Sequence, residues 1–403
     1  MILTSSSISG AVLDTLKNWG FWSAIVAAVF VIFLGFLLTR KNILKKEWDK
    51  VLIKLVMIIG LPSLSLQGFL TGITIEQLKE QVVVLAIGFI FYALMSMGSK
   101  IFFLKYNRDI QDTLAMCLAF ASTTFFGLPI VSELVSGNKG NGAQIGNMFN
   151  VPYRVFLYSL AFTIMANKSP EVKLSFKEKR ALKLKAIPNK ETEPEVYQTY
   201  LANKRKATKT KFKNIFLNPI LIATFIGIII WVTQLIPGIN VIHYSAVNGG
   251  KAFSPLRIDL LFPPIAKILT LLAAICTPLA WIAIGMQLAK GSFKLAIKSK
   301  TVWYATFLKI IVAPLIILLI SMLVAWIGYA TGAWKLSQGA LTVLVIMTAT
   351  PPASVVVSYS IAFEKEPKLA SDLTLLTTVM AIVTLPIWVI ITTAVGTLPI
   401  FTH

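Results

Sequence analysis

The chain has 403 residues, of which 56% are hydrophobic and only 14% are charged. Its mean hydropathy of +0.77 excludes a soluble domain of this length, so we expect a polytopic protein embedded in the lipid bilayer. The net charge of +21 raises the alternative of a nucleic-acid partner. The basic residues lie in the links between apolar runs, without interleaved stacking aromatics, which argues against nucleic acid. With two histidines, and two cysteines that both lie in apolar runs, the sequence predicts no metal site and no cofactor.

Ten apolar runs approach or exceed the roughly 20 residues that a transmembrane helix needs. The predicted spans are Phe21–Leu38, Val51–Leu70, Val82–Leu104, Thr113–Val135, Gln144–Met165, Ile215–Ile236, Pro263–Ala289, Val302–Tyr329, Ser337–Ser360 and Leu369–Val395. The first run is interpreted as a retained span and not as a cleaved signal peptide. Arg40 and Lys41 follow it, where a signal peptide would have a small-residue cleavage site.

Basic residues concentrate in alternate links between the runs. The first link has five lysines and arginines between Arg40 and Lys50, whereas the second, Thr71–Gln81, has one lysine and two glutamates. Cytoplasmic links of membrane proteins are enriched in lysine and arginine, so we predict a plasma-membrane protein with both termini outside. The long basic stretch 167–213 is then cytoplasmic. We interpret it as a solvated linker, with a lipid-contacting or regulatory segment as the alternative.

The stretch 167–213 divides the chain into two halves of five spans each, which are the predicted domains 1–166 and 214–403. Because five is odd, the second half must run in the opposite orientation, giving the inverted repeat of many secondary transporters. Interruptions recur at matching places in the two halves. The second and seventh spans contain Leu61–Gly68 and Thr277–Gly285, each with a proline followed by a glycine about two turns later.

The fourth and ninth spans contain the stronger interruptions, at Gly127–Pro129 and Thr350–Pro352. We expect both helices to break at these places and to cross each other, and the fourth helix should restart near Pro129. The second half of each helix would then direct its positive N-terminus at a bound anion. Ordinary proline kinks are the alternative. The predicted substrate-binding residues are those of the two breaks and two polar residues of the fifth span: Thr123, Thr124, Gly127, Pro129, Asn150, Arg154, Thr350, Pro351, Pro352 and Ser354.

Arg154 is the most informative charged residue. It lies about ten residues into the fifth span, or about 15 Å deep in a hydrocarbon core of about 30 Å. An arginine at that depth should face the protein interior, where its guanidinium can bind a carboxylate with two hydrogen bonds. A structural arginine that caps backbone carbonyls is the alternative. Lys54 and Lys309 lie nearer the ends of their spans and are expected to reach the membrane surface.

Four segments resemble the auxin efflux carrier family, which includes bacterial malate permeases and plant auxin exporters. They are Leu61-Pro62, FFGLPIV at 125–131, NVPYRVFLYSLA at 150–161 and TATPPASVVVSYS at 348–360. The resemblance implies an all-α fold of ten transmembrane helices, in two inverted five-helix repeats with broken helices 4 and 9, and a secondary carrier for organic anions. The asparagines that flank the crossover prolines of the plant exporters are absent, so the chain is more similar to the bacterial organic-acid branch.

The sequence therefore predicts a secondary active transporter, not an enzyme, for a small malate-like carboxylate. Spans three to five and eight to ten are expected to move against the remainder, in an alternating-access cycle. A sodium-coupled carrier of the bile-acid type and a passive anion channel are the alternatives. Coupling to protons or sodium, and assembly as a homodimer, remain open.

Overall fold

The computed structural model describes residues 19–45, 47–135, 141–166, 219–244, 250–290 and 293–402, together with the isolated positions 13, 17, 198 and 205. In these residues the chain is helical, with two isolated β-bridges and no strand. The predicted basic loop 167–213 lies outside the described residues, except for positions 198 and 205. The predicted start of the sixth span also lies outside them.

We number the main helices α1 to α10 and give the halves of a broken helix the letters a and b. Their bounds are α1 Trp19–Arg40, α2 Trp48–Phe69, α3 Ile75–Phe103, α4a Arg108–Ala119, α4b Thr123–Gly127 with Leu128–Leu134, α5 Gly142–Phe156 continued by Leu157–Ala161 and Phe162–Ala166, α6 Pro219–Thr233, α7 Pro263–Lys290, α8 Lys300–Thr331, α9a Gln338–Ala349, α9b Ser354–Ala362 and α10 Pro367–Val395. Three short helices, Ile258–Leu261, Phe293–Lys298 and Pro399–Thr402, lie between or after them.

Among the residues that the structure describes, five helices are long and apolar enough to cross a membrane: α2, α3, α7, α8 and α10. They coincide with the second, third, seventh, eighth and tenth predicted spans. The shorter apolar helices include α6, α9a and the part of α1 from Val26 to Arg40. The protein is therefore a multi-pass membrane protein by length and composition, while the count of ten spans stays a prediction.

Polar side chains fix where several helices begin. The side chains of Asn107, Asn141 and Ser337 each accept a hydrogen bond from the backbone N–H three residues later, at the starts of α4a, α5 and α9a. These caps satisfy N–H groups that have no partner within the helix. The three helices that line the centre of the protein therefore have defined starting points.

In three helices a wide turn precedes a proline. Wide turns with i→i+5 hydrogen bonds occupy Val56–Gly60, Thr123–Gly127 and Leu308–Val312, and each is followed two residues later by a proline. Because proline lacks an N–H and its ring clashes with the preceding turn, the wider turn accommodates it while the helix continues. The prediction that Gly127 and Pro129 break the fourth helix is therefore wrong.

The helices pack in two groups. In the first group, α7 packs along α1 and α2, and α2 packs along α6. Gly285 of α7 lies directly against α1, where a side chain would overlap the carbonyl oxygen of Ile32. In the second group, α3 packs on α5, and α9a packs on α8 and α10. Every residue of Asp112–Ala119 in α4a and of Gly339–Ala349 in α9a is buried, so these two half-helices form the centre of the fold.

Candidate functional site

The two broken helices meet at a short antiparallel backbone pairing. The N–H of Ser122 donates to the carbonyl of Pro351 at 2.7 Å, and the N–H of Ala353 donates to the carbonyl of Phe120 at 2.9 Å. Ala121 and Pro352 form the bridge between them. Unwound backbone is tolerated at membrane depth only where protein or a cavity satisfies it. The chain therefore unwinds at two places whose backbones pair with each other, and we call these residues, 120–122 and 350–353, the helix crossing.

The break in the fourth helix lies before the place predicted from the sequence. Phe120 and Ser122 leave the helical conformation, and the helix restarts at Thr123, six residues before Pro129. Pro129 is buried within α4b and borders none of the three cavities described below. Gly127 has a packing role, because a Cβ there would lie 2.8 Å from the sulfur of Met347. The glycine thus permits close contact between α4b and α9a.

Two larger cavities lie at opposite ends of α2. Cavity A, of about 490 Å³, extends from the helix crossing to Asp49 near the start of α2. There Lys290 of α7 forms an ion pair with Asp49 at 2.5 Å. Cavity C, of about 630 Å³, is bordered by Leu70 just after the end of α2 and by Gln144 of α5. The two cavities therefore lie toward opposite ends of α2, and cavity A is the one that reaches the crossing.

A small cavity, B, of about 60 Å³, lies beside the helix crossing and is bordered by Arg154. Ser122, Phe125 and Ser354 border both cavity A and cavity B, so the crossing forms the wall between them. The hydroxyl of Thr124 also borders cavity B and is buried without a hydrogen-bond partner among the described residues. Cavity B has room for a few water molecules.

Arg154 is 2% exposed, and both terminal guanidinium nitrogens lack a hydrogen-bond partner among the described residues. No carboxylate in the described part of the chain is within ion-pair distance of it (the pairs are those of Lys100, Arg108, Arg257, Lys290 and Lys365). Within the described residues, neither terminal nitrogen donates to a backbone carbonyl, so the alternative of a carbonyl-capping arginine gains no support. A buried guanidinium with free donors is costly, and a bound carboxylate would offset that cost.

Two buried amides add donors near Arg154. The amide oxygen of Asn150 accepts from Thr123 at 2.6 Å, and that of Asn147 accepts from Ser65 at 2.8 Å. In both residues the NH₂ group is buried and has no partner among the described residues. The hydroxyls of Thr123 and Ser65 therefore hold each amide by its oxygen and leave its donors free.

The polar residues of α5 form one face of the helix. At 100° per residue, Gln144, Asn147, Asn150 and Arg154 fall within an arc of about 120° and span about 15 Å. The opposite face packs on α3, where a Cβ added to Gly88 would lie 2.6 Å from Pro152 and 3.2 Å from Phe149. The NH₂ group of Gln144 is also unpartnered within the described residues. This face thus presents hydrogen-bond donors from cavity C to cavity B.

On the side of cavity C, α2 closes against α5. Asn141 donates from its amide to the carbonyl of Gly68 at 2.7 Å, and Ser65 bonds Asn147. A Cβ on Gly68 would lie 3.1 Å from the backbone nitrogen of Gln144, so a larger residue there would push α2 and α5 slightly apart. Cavity C is consequently separated from the crossing by a polar contact between the two groups of helices.

Lys309 does not reach the membrane surface, so that prediction is wrong, whereas Lys54 is exposed as expected. Lys309 is 1% exposed, and its Nζ donates to the carbonyl of Leu118 at 2.9 Å. Because α8 begins at Lys300, Lys309 lies about 13 Å along the helix. Sequence distance from the charged end of the span could have located it deeper than we predicted.

The structure gathers most of the predicted site residues at the crossing. Thr123, Thr124, Asn150 and Arg154 lie on its α5 side, while Pro351 and Pro352 lie in the opposing unwound segment and Ser354 starts α9b. The hydroxyl of Thr350 bonds the carbonyl of Met347 in its own helix and so is not directed at a cavity. The described residues contain no cluster of three or more His, Cys, Asp or Glu that could hold a metal ion.

Sequence comparison supports a role in transport. The model of a family described as membrane transport protein matches residues 21–389, which is nearly the whole chain. A search of curated proteins finds no match. The matched region includes both broken helices and Arg154.

Proposed function

The chain belongs to the membrane transport protein family, which includes the auxin efflux carriers, and on that premise we propose that it is a secondary active transporter for a small organic anion. The donors around the helix crossing support this substrate class. Arg154, Asn150 and Thr124 all have unpartnered donors there, and no carboxylate competes for Arg154 among the described residues. A carboxylate accepts up to four hydrogen bonds and pairs with the guanidinium fork.

The anion would bind on the boundary of cavities A and B. Cavity B alone is too small for a malate-like molecule, but cavity A is large enough and reaches the same residues, Ser122 and Ser354. Ser354 begins α9b, and its preceding residue, Ala353, provides no side-chain cap. The free N–H groups and positive end of α9b would attract one carboxylate oxygen, with Arg154 behind the crossing.

We assign the structure to the state that opens toward the basic links. Cavity A reaches Asp49 and Lys290, which border the two basic links 40–50 and 290–300. By the enrichment of positive charge in cytoplasmic links, that side is the cytoplasm and both termini lie outside. The contact of α2 with α5 at Ser65 and Asn147 would then be the closed outer gate.

Alternating access would follow from movement between the two groups of helices. The group of α3–α5 and α8–α10 carries the crossing and Arg154, and the group of α1, α2, α6 and α7 provides the opposing surface. Movement of the group that carries the crossing would break the α2–α5 contact and open the crossing to cavity C. We also propose that the chain has ten spans, arranged as two inverted five-span repeats. The antiparallel backbone pairing of the fourth and ninth helices, which hold the same position in the two repeats, supports this arrangement.

Counterflow in proteoliposomes tests this proposal. Vesicles loaded with unlabelled malate should accumulate labelled malate transiently, with a rate that saturates and that unlabelled carboxylates reduce. Lactate and a neutral amino acid serve as the comparison solutes. Linear, unsaturable flux would indicate a channel, and no exchange of any carboxylate would refute the proposed substrate class.

A further inference from the structure

Lys309 contacts the end of α4a that leads into the helix crossing. Leu118, whose carbonyl accepts from Nζ at 2.9 Å, lies in the last turn of α4a, where carbonyls have no partner within the helix. Two residues later, the carbonyl of Phe120 accepts from Ala353 across the crossing. The ammonium group therefore lies at the negative end of one of the two half-helices that build the crossing.

In the described part of the chain, no carboxylate pairs with this buried amine. The turn that contains Lys309 packs against α4a, α9a and α10. The titratable group that faces it from α4a is the thiol of Cys117, and α9a has no titratable side chain. On α10, the indole of Trp388 donates to Ile310, the next residue, while Asp372 lies 16 positions earlier. Within the described residues, Lys309 belongs to none of the ion pairs.

In sodium-coupled carriers with broken helices, the coupling ion is held by unwound backbone carbonyls and by the C-terminal ends of half-helices. A protonated lysine presents the same unit charge and donates to the same carbonyls. Here the C-terminal end of α4a is already contacted by such a group, on a side chain that reaches from α8.

We propose that the amino group of Lys309 takes the place of a coupling sodium ion at the end of α4a, so that transport needs no sodium. This inference rests on the proposed transport function. It identifies a buried cation supplied by the chain, and it argues against the sodium-coupled alternative. Lys309 is a positioning residue, since it acts through the backbone of α4a and not on the substrate.

The test uses full-length protein in proteoliposomes with labelled malate. The unmodified protein should exchange malate equally in sodium and in choline buffers. Lys309→Ala should lose about tenfold or more of the exchange rate in choline, because a charge-assisted hydrogen bond is removed. Methylammonium or sodium should restore much of it, since either cation can enter the vacated volume. Lys309→Met fills that volume without a charge and should lose activity without rescue.

Lys267→Ala, which removes an exposed lysine of α7, is the control and should exchange malate normally. Three outcomes would overturn the inference: sodium-dependent exchange by the unmodified protein, normal exchange by Lys309→Met, or a loss in Lys309→Ala that neither cation rescues. If the unmodified protein exchanges no malate, the proposed function fails. The inference is then tested by thermal stability, which sodium should not raise above its value in choline for the unmodified protein.

Discussion

Replacing Arg154 should separate function from stability. Its two terminal nitrogens lie buried without partners among the described residues, so a bound carboxylate would gain two charge-assisted hydrogen bonds there. At about 1.5–3 kcal/mol each, loss of even one weakens binding by roughly tenfold to 150-fold, and loss of both by more. We expect Arg154→Ala to abolish measurable malate exchange. Arg154→Lys should retain part of it, because the charge remains but the planar fork is lost.

Replacing Arg154 with methionine, an apolar residue that keeps most of the side-chain length, should not lower the stability of the protein. A buried cation without a counter-ion is destabilising, and apolar replacement of buried charges is often neutral or stabilising by about 1–4 kcal/mol. Arg154→Met in detergent should therefore melt at the same or a higher temperature than the unmodified protein, as measured by tryptophan fluorescence. Loss of activity together with retained stability would mark a group that is reserved for a ligand.

Arg257 provides the matched control for a structural arginine. It is buried and forms a bidentate pair with Asp259 at 2.7 and 2.8 Å, and it also donates to Leu70 and Gln234. Arg257→Met should lower the melting temperature, because breaking a buried pair costs about 3–5 kcal/mol. If Arg154→Met destabilises the protein as much as Arg257→Met does and still exchanges malate, Arg154 is structural and the argument for the site is wrong.

Two further substitutions test the packing at the crossing and the closure of the outer side. Gly127→Ala should destabilise by about 1–3 kcal/mol, because its Cβ would lie 2.8 Å from the sulfur of Met347, whereas Gly98→Ala has open space and should be neutral in the same melting assay. The side chains of Ser65 and Asn147 form a hydrogen bond of 2.8 Å, so cysteines placed at these two positions, in a chain without its native cysteines, should be cross-linked by mercuric ion. The cross-linked protein should lose malate exchange and regain it when a thiol is added. Cross-linking that leaves exchange intact would show that α2 and α5 need not separate.

The sequence predicts the break in the ninth helix well and the break in the fourth poorly. Two consecutive prolines, Pro351 and Pro352, cannot donate within a helix, so the chain must unwind there. The segment Phe120–Ser122 has no such signal. It unwinds because its backbone pairs with Pro351 and Ala353, a contact that only tertiary structure defines.

The sequence predicts the charged residue of the candidate site but not the orientation of the amides around it. Arg154 is conspicuous because a charge in the middle of an apolar run is rare. The direction of the Asn147 and Asn150 amides depends on the hydroxyls of Ser65 and Thr123, which are distant in sequence. The burial of Lys309 likewise depends on its contact with α4a and not on its own neighbours.

The most direct test of the account is an experimental structure determined in the presence of malate. We expect density for the anion at the helix crossing, between Ser354 and Arg154, with one carboxylate within hydrogen-bond distance of the guanidinium. Cavities A and B should then be continuous around the ligand. Malate density that lies elsewhere and leaves Arg154 without contact would contradict the central claim that this arginine and the crossing hold the anion.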